Sequence, residues 1–226
     1  MANDQYSSGE KQFKFLLVGG EAVGKTCLAL RFIQDKFDKQ YKPTVGVDFF
    51  LKRIILPGSL NVTIQLWDIG SQSIKGEMLD KYFYGADAIL FVYDITNNES
   101  LTNLEEWLQA VHDVFKDDCI MPHIALISNK GDLEHSRNVK IDRHLKFALD
   151  NAMSSHSVSA KTGESVALCF QKIAGELLGI RLTRSEQETV QPVVKAEIVH
   201  NLAAAEPNKN STPSNSTKNS SVCTIQ

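Results

Sequence analysis

Continuous apolar runs recur along the chain at Phe15–Val18, Ala88–Tyr93 and His123–Ile127. A strand with one solvated face alternates apolar and polar residues, so unbroken runs predict strands buried on both faces, as in a parallel sheet covered by helices. Apolar residues return at helical spacing over Ser100–Phe115, Asp142–Leu149 and Glu164–Leu178. In the last of these, Val166, Cys169, Phe170, Ile173 and Leu177 share one face.

The pattern changes between Asp48 and Asp68. Phe49, Leu51 and Arg53 alternate with their neighbours, Pro57-Gly58 makes a turn, and Val62, Ile64 and Leu66 alternate again, which predicts an antiparallel hairpin. The expected fold class is therefore α/β: a mostly parallel six-stranded sheet with one antiparallel edge strand and helices on both faces. From Arg181 onward the chain is rich in Ser, Thr, Asn, Lys and Ala, and it is expected to be disordered to residue 226, as is the polar stretch 1–12. One domain over 13–180 remains.

A formal charge of −3 gives no sign of nucleic-acid affinity. No apolar run approaches a membrane span and Met1 to Gln12 carries no signal-peptide core, so a cytosolic protein is expected unless something attaches it. Cys27, Cys119, Cys169 and Cys223 are irregularly spaced, and Cys27 and Cys169 fall in apolar helical patterns, which reads as buried free thiols.

The first apolar run is followed by Gly19-Gly20-Glu21-Ala22-Val23-Gly24-Lys25-Thr26, and then by Cys27, Leu28, Phe32 and Phe37 near helical spacing. A triphosphate needs many donors converging on a small volume, and backbone N–H groups supply them only where side chains leave room. Glycines 19 and 24 permit the curve, the loop and helix N-terminus point their N–H groups inward, Lys25 reaches the β- and γ-phosphates, and the Thr26 hydroxyl ligates Mg²⁺.

Four further elements follow in order. Thr44, in the polar loop Tyr41-Lys42-Pro43-Thr44, is spaced to serve as a second Mg²⁺ ligand that closes over the γ-phosphate. Trp67-Asp68-Ile69-Gly70-Ser71-Gln72 ends an apolar strand with an Asp that would hold Mg²⁺ through water, while Gln72 could orient the attacking water. Asn129-Lys130-Gly131-Asp132 follows the strand His123–Ile127 and so stands at the carboxyl edge of the sheet. Guanine presents N1–H and its 2-amino group side by side and one carboxylate accepts both, so Asp132 selects guanine, Lys130 lays its stem along the base and Asn129 braces the loops. Ser159-Ala160-Lys161 follows a short strand at His156–Val158, with the Ala160 N–H placed to meet guanine O6.

These five elements in this order resemble the Ras superfamily of small GTPases. Thr44-Val45-Gly46-Val47-Asp48-Phe49, Trp67 and Tyr82-Phe83-Tyr84-Gly85-Ala86 resemble its Rab branch, and the similarity runs from Phe13 to Val199 and includes the last four residues. The resemblance implies a P-loop NTPase small G domain that binds GTP or GDP with Mg²⁺, hydrolyses GTP slowly and recruits effectors in membrane or vesicle trafficking. It implies that Phe37 stacks on the base, that Tyr41 covers the phosphates, and that Phe49, Trp67 and Tyr82 form an aromatic effector surface. Read from the residues alone, those three are ordinary core positions. It further implies an exchange factor, a GTPase-activating protein and a monomeric G domain. A kinase with the same phosphate loop is disfavoured because no acceptor-binding insertion is visible.

Two positions depart from the family. Glu21 stands where small GTPases usually have Gly or Ser, bringing a carboxylate towards the γ-phosphate and the space an arginine finger would enter. Ser71 replaces the Gly whose N–H meets the γ-phosphate and which hinges the second switch. They leave open a second class of function, a GTP-locked adaptor deficient in hydrolysis. The chain ends in Cys223-Thr224-Ile225-Gln226, a C-a-a-X box whose Gln favours farnesylation of Cys223. One lipid without a basic cluster attaches weakly, so exchange between cytosol and the cytoplasmic face of membranes is expected, with a soluble prenyl-binding carrier as partner and ciliary or endosomal membranes as candidate locations.

Overall fold

The computed structural model describes residues 11–38, 40–116 and 120–190. The six strands are β1 (Lys11–Val18), β2 (Val47–Leu56), β3 (Leu60–Ile69), β4 (Ala88–Asp94), β5 (His123–Asn129) and β6 (Ser154–Ser157), in the spatial order β2-β3-β1-β4-β5-β6. All neighbours are parallel except β2 and β3, so the antiparallel strand lies at one edge. The helices are α1 (Lys25–Gln34), α2 (Leu79–Phe83), α3 (Asn98–Thr102), α4 (Leu104–Phe115), α5 (Ile141–Asp150), α6 (Val166–Leu177) and α7 (Arg184–Val190).

Alternation along each buried strand explains the unbroken apolar runs. In β1, Phe15 and Leu17 enter a core shared with α1 and α6, while Leu16 and Val18 enter a second core shared with α2, α3, α4 and α5. Both faces are thus covered, and the parallel strands need no polar side. Phe32 of α1 and Phe170 of α6 stack at 3.9 Å between ring centroids, tying these two helices together.

Several boundaries differ from the sequence expectation. Lys11 and Gln12, grouped with a disordered N-terminus, begin β1. The helix expected from Ser100 starts at Asn98, where the Asn97 side chain accepts from the Glu99 N–H at 2.9 Å. The last strand is Ser154–Ser157, earlier than the expected 156–158. The stretch from Arg181, expected without structure, contains α7, and the reason is a capping box at Thr183 and Glu186. The Glu186 carboxylate accepts from the Thr183 N–H at 2.8 Å, and the Glu186 N–H points back to the Thr183 hydroxyl at 3.5 Å. Among the described residues no helix is long and apolar enough to cross a membrane.

Candidate nucleotide-binding site

The carboxyl ends of β1, β3, β4 and β5 open on one edge of the sheet, where the chain leaves each strand into a loop. A cavity of about 590 Å³ lies there, walled by the loop after β1, the loop before β2, the start of the segment after β3 and the loops after β5 and β6. Glu21, Ala22, Gly24, Lys25, Thr26 and Cys27 all line it. So do Phe37, Tyr41, Thr44 and Ser71, as do Asn129, Lys130, Asp132, Ala160 and Lys161.

The phosphate-loop lysine is buried, and its ammonium donates to the carbonyls of Gly19 (2.9 Å) and Gly20 (2.8 Å). Burial lowers its pKa from 10.5 to about 8, against the opposing charges of Asp68 and Glu21. Cys27 is half-buried at the cavity wall, whereas Cys169 is fully sequestered in α6, where burial pushes its thiol pKa far up. Cys119 and Cys223 lie outside the described residues.

Thr26, Thr44 and Asp68 converge on one point from three different elements. The Thr26 hydroxyl donates to Asp68 Oδ2 at 2.5 Å, the Thr44 hydroxyl approaches the same oxygen at 3.1 Å, and the two hydroxyls lie 2.9 Å apart. Asp68 has no exposed surface, and its second oxygen, Oδ1, has no hydrogen-bond partner. Burial raises its pKa, while Thr26, Lys25 and Thr44 act in the other direction. A buried carboxylate with an unpaired oxygen beside two hydroxyls is a hard-oxygen donor set, the kind that suits Mg²⁺ completed by phosphate and water. Among the described residues no cluster of three or more His, Cys, Asp or Glu is placed to hold a metal ion by itself.

The segments that carry Thr44 and Asp68 touch through backbone. The Gly70 N–H donates to the Gly46 carbonyl at 2.8 Å, and a Cβ on Gly70 would stand 2.3 Å from the Thr44 carbonyl oxygen. Close approach therefore requires glycine at 70. Ser71, at the position expected to hinge the second switch, starts a 3-10 turn (Ser71–Lys75) with φ outside the left-handed region. Gln72 is exposed and does not line the cavity, so the residue expected to orient water stands outside its wall in this structure.

At the base side, Asn129 is 1% exposed and joins two loops. Its Nδ2 donates to the Val23 carbonyl (2.9 Å), and its Oδ1 accepts the Ala160 N–H (3.1 Å). The Ala160 amide, expected to meet guanine O6, is thereby engaged with Asn129. Asp132 accepts from the buried Ser159 hydroxyl at 2.6 Å and lies 3.3 Å from the Lys161 ammonium. Burial pushes its pKa up, but Ser159 and Lys161 outweigh that and hold it below the usual value, so the carboxylate is charged and ready to accept.

Sequence reasoning missed two supports. Asp94, the polar last residue of β4, holds the Lys130 ammonium at 2.6 Å. Arg31 of α1 donates to the carbonyls of Ala160 (2.9 Å) and Lys161 (2.7 Å), fixing the last loop to the first helix. The readable signals were an Asp ending a buried strand, as Asp68 does, and a lone Arg within the apolar run Leu28-Ala29-Leu30-Arg31-Phe32-Ile33.

Of the three aromatic residues expected on an effector surface, two meet. Phe49 and Trp67 are paired across β2 and β3 with ring centroids 4.5 Å apart, edge to face, and the Lys14 ammonium sits 3.7 Å above the Trp67 ring. Phe49 is 60% exposed, and Leu51 and Ile55 continue its face outward. Tyr82, on α2, is half-buried against the second core.

Residues 14–179 match the Ras family profile. The chain belongs to the Ras family of small GTPases. This GTPase is similar to Ras-related protein Rab-28 of Caenorhabditis elegans, 39% identical over 216 residues that cover 96% of this chain and 87% of that protein. It is 34% identical to Ras-related protein Rab-10 of the same organism over 184 residues, covering 80% and 90%, respectively. It is also 32% identical to Ras-related protein Rab-13 of Canis lupus familiaris over 166 residues, covering 74% and 80%. The parallel sheet, the order of the motifs and these similarities agree on a guanine-nucleotide-binding switch of the Rab type.

Proposed function

We propose that this GTPase is a membrane-trafficking switch that binds GTP or GDP with Mg²⁺ in the cavity at the carboxyl edge of the sheet and recruits effectors when GTP is bound. The observation that carries the reading is the convergence of Thr26, Thr44 and Asp68 within 3.1 Å, next to the phosphate-loop lysine. Thr26, Thr44 and Asp68 hold Mg²⁺, which when bound neutralises charge on the phosphate oxygens. Lys25 and the loop N–H groups bind phosphate, and Asn129, Lys130 and Asp132 hold guanine. Phe37 and Tyr41 cover the base and phosphates. Gln72 enters the site as the second switch segment closes.

The effector surface comprises Phe49, Trp67 and Tyr82, and the G domain, expected over 13–180, begins with β1 at Lys11. Cys223, outside the described residues, takes the farnesyl group that attaches the chain reversibly to the cytoplasmic face of membranes. A prenyl-binding carrier, an exchange factor and an activating protein are its partners. The Glu21 carboxylate on the cavity wall favours a second reading, a GTP-loaded adaptor with impaired hydrolysis.

Single-turnover hydrolysis of preloaded GTP with Mg²⁺ separates the two. A switch of this class turns over on the order of 10⁻⁴ to 10⁻² per second without an activating protein. A rate in that range, little changed by Glu21→Gly or Ser71→Gly, supports the switch. An inert protein restored by either substitution makes it the adaptor.

A further inference from the structure

We infer that the Ser73 hydroxyl is a clamp that keeps Gln72 out of the cavity, making Ser73 a positioning residue that sets how often the hydrolytic arrangement forms. The inference rests on the guanine-nucleotide reading of the cavity and names what holds the second switch segment back.

The Gly46 carbonyl accepts two hydrogen bonds from the segment after β3, from the Gly70 N–H at 2.8 Å and from the Ser73 hydroxyl at 3.1 Å. The Ser73 N–H in turn donates to the Gly70 carbonyl at 3.0 Å. Gln72 thus lies inside a ring closed at Gly70 and Ser73 on one acceptor. Gly46 is itself held in place: its backbone is left-handed (φ 75°), and Thr44, just before it, is bound to Thr26 and Asp68.

The clamp and the entry of Gln72 exclude each other. In a 3-10 turn successive side chains stand roughly 120° apart. Ser71 lines the cavity, so Gln72, the next residue, points away from it and is exposed. Bringing Gln72 to the cavity takes a rotation of the turn, and that rotation carries the Ser73 hydroxyl off the Gly46 carbonyl. Thr44 keeps its place throughout, since only the turn Ser71–Lys75 moves. Two of the three bonds that close the ring are made by backbone whatever the side chains. The Ser73 hydroxyl is the one that a substitution can remove.

The test uses the full chain with Mg²⁺, preloaded with GTP, and follows phosphate release over a single turnover. Variants are Ser73→Ala, Ser73→Thr, Gln72→Leu and Ser73→Ala with Gln72→Leu. Loss of one such hydrogen bond speeds hydrolysis by about 2- to 10-fold in Ser73→Ala. Ser73→Thr keeps the hydroxyl and, with it, the slower rate of the unaltered protein. The double variant is no faster than Gln72→Leu alone, because the clamp acts only through Gln72. Two readouts need no turnover. Amide exchange over residues 71–75 of the protein loaded with non-hydrolysable GppNHp rises in Ser73→Ala and not in Ser73→Thr. Release of mant-GDP is the same in both Ser73 variants as in the unaltered protein, whereas general loosening of the site would speed it. Unchanged or slower hydrolysis in Ser73→Ala, a gain that survives Gln72→Leu, unchanged amide exchange, or faster mant-GDP release overturns the clamp while leaving the nucleotide site intact. An unaltered chain that retains neither GTP nor mant-GDP overturns the nucleotide reading itself, and the clamp with it.

Discussion

Gly24 and Asn129 touch across 105 residues of sequence: a Cβ built on Gly24 would lie 2.5 Å from Asn129 Nδ2, the atom that donates to the Val23 carbonyl. The phosphate loop thus curves against the side chain that ends β5, and the left-handed backbone at Gly24 (φ 95°) is the conformation that brings it there. Phosphate-side and base-side halves of the cavity are joined at this contact.

Asn129→Ala leaves the Val23 carbonyl and the Ala160 N–H without their partner, at about 1–3 kcal/mol each, and loosens both loops. Gly24→Ala alone adds a clash and a strained φ. Because the clash is with Asn129, the double variant is expected to lose less stability than the sum of the singles. Denaturant unfolding of the four proteins measures this, and simple additivity would show that the two residues are not coupled.

Lys25 titrates at about 8 in the ligand-free protein, against 10.5 unfolded. Between those values the unfolded chain carries more protons, so the stability of the ligand-free protein rises with pH from 8 towards 10.5. A bound polyphosphate favours the charged ammonium, so GDP affinity falls by up to about tenfold per pH unit above 8. Calorimetry at pH 9 in buffers of different ionisation enthalpy should show up to about one proton taken up per GDP. The signal should shrink towards pH 7. No uptake at pH 9 would place Lys25 away from the phosphates.

The sheet was legible because burial on both faces leaves a pattern that needs no partner to be recognised: β1, β4 and β5 each contain an unbroken apolar run. The short α3 and α7 are set by side-chain caps at Asn97 and Thr183, a local chemistry that hydrophobic periodicity does not register. At the site, glycines and motif residues could be placed from sequence because their spacing is fixed by a strand, a loop and a helix. Arg31 and Asp94 could not be assigned, since their roles come from contacts 129 and 36 residues away. The engagement of the Ala160 amide with Asn129 is likewise a tertiary fact.

His144 is buried between the Tyr93 hydroxyl (3.0 Å from Nδ1) and the Ser155 hydroxyl (2.6 Å from Nε2). Burial, reinforced by Arg137, lowers its pKa from 6.5 to about 4, so the folded protein holds it neutral while the unfolded chain protonates it. Stability attributable to this group is full above 6.5 and is lost as pH falls towards 4, up to about 3 kcal/mol. His156, lowered to about 4 chiefly by burial, acts in the same direction. Denaturation midpoints between pH 7 and 5 should fall in the unaltered protein, less steeply in His144→Gln, and least in His144→Gln with His156→Gln. Equal slopes in all three would assign the loss to other groups.

Asp68 should reverse the sign of its effect with Mg²⁺. In the ligand-free protein its carboxylate is fully buried with Oδ1 unpaired, and desolvation is the leading influence on its titration, so this charge opposes folding. Asp68→Asn removes the charge while keeping the shape, and is expected to raise the unfolding temperature of the ligand-free protein measured with chelator. With GDP and Mg²⁺ the order inverts. An ion at 100 times its dissociation constant stabilises the unaltered protein by about 2.7 kcal/mol, a gain the neutral amide largely forgoes. Thermal unfolding of both proteins, with chelator and with GDP plus Mg²⁺, tests the crossing. If Asp68→Asn is the less stable protein under both conditions, the buried carboxylate is structural and the metal assignment to Asp68 falls.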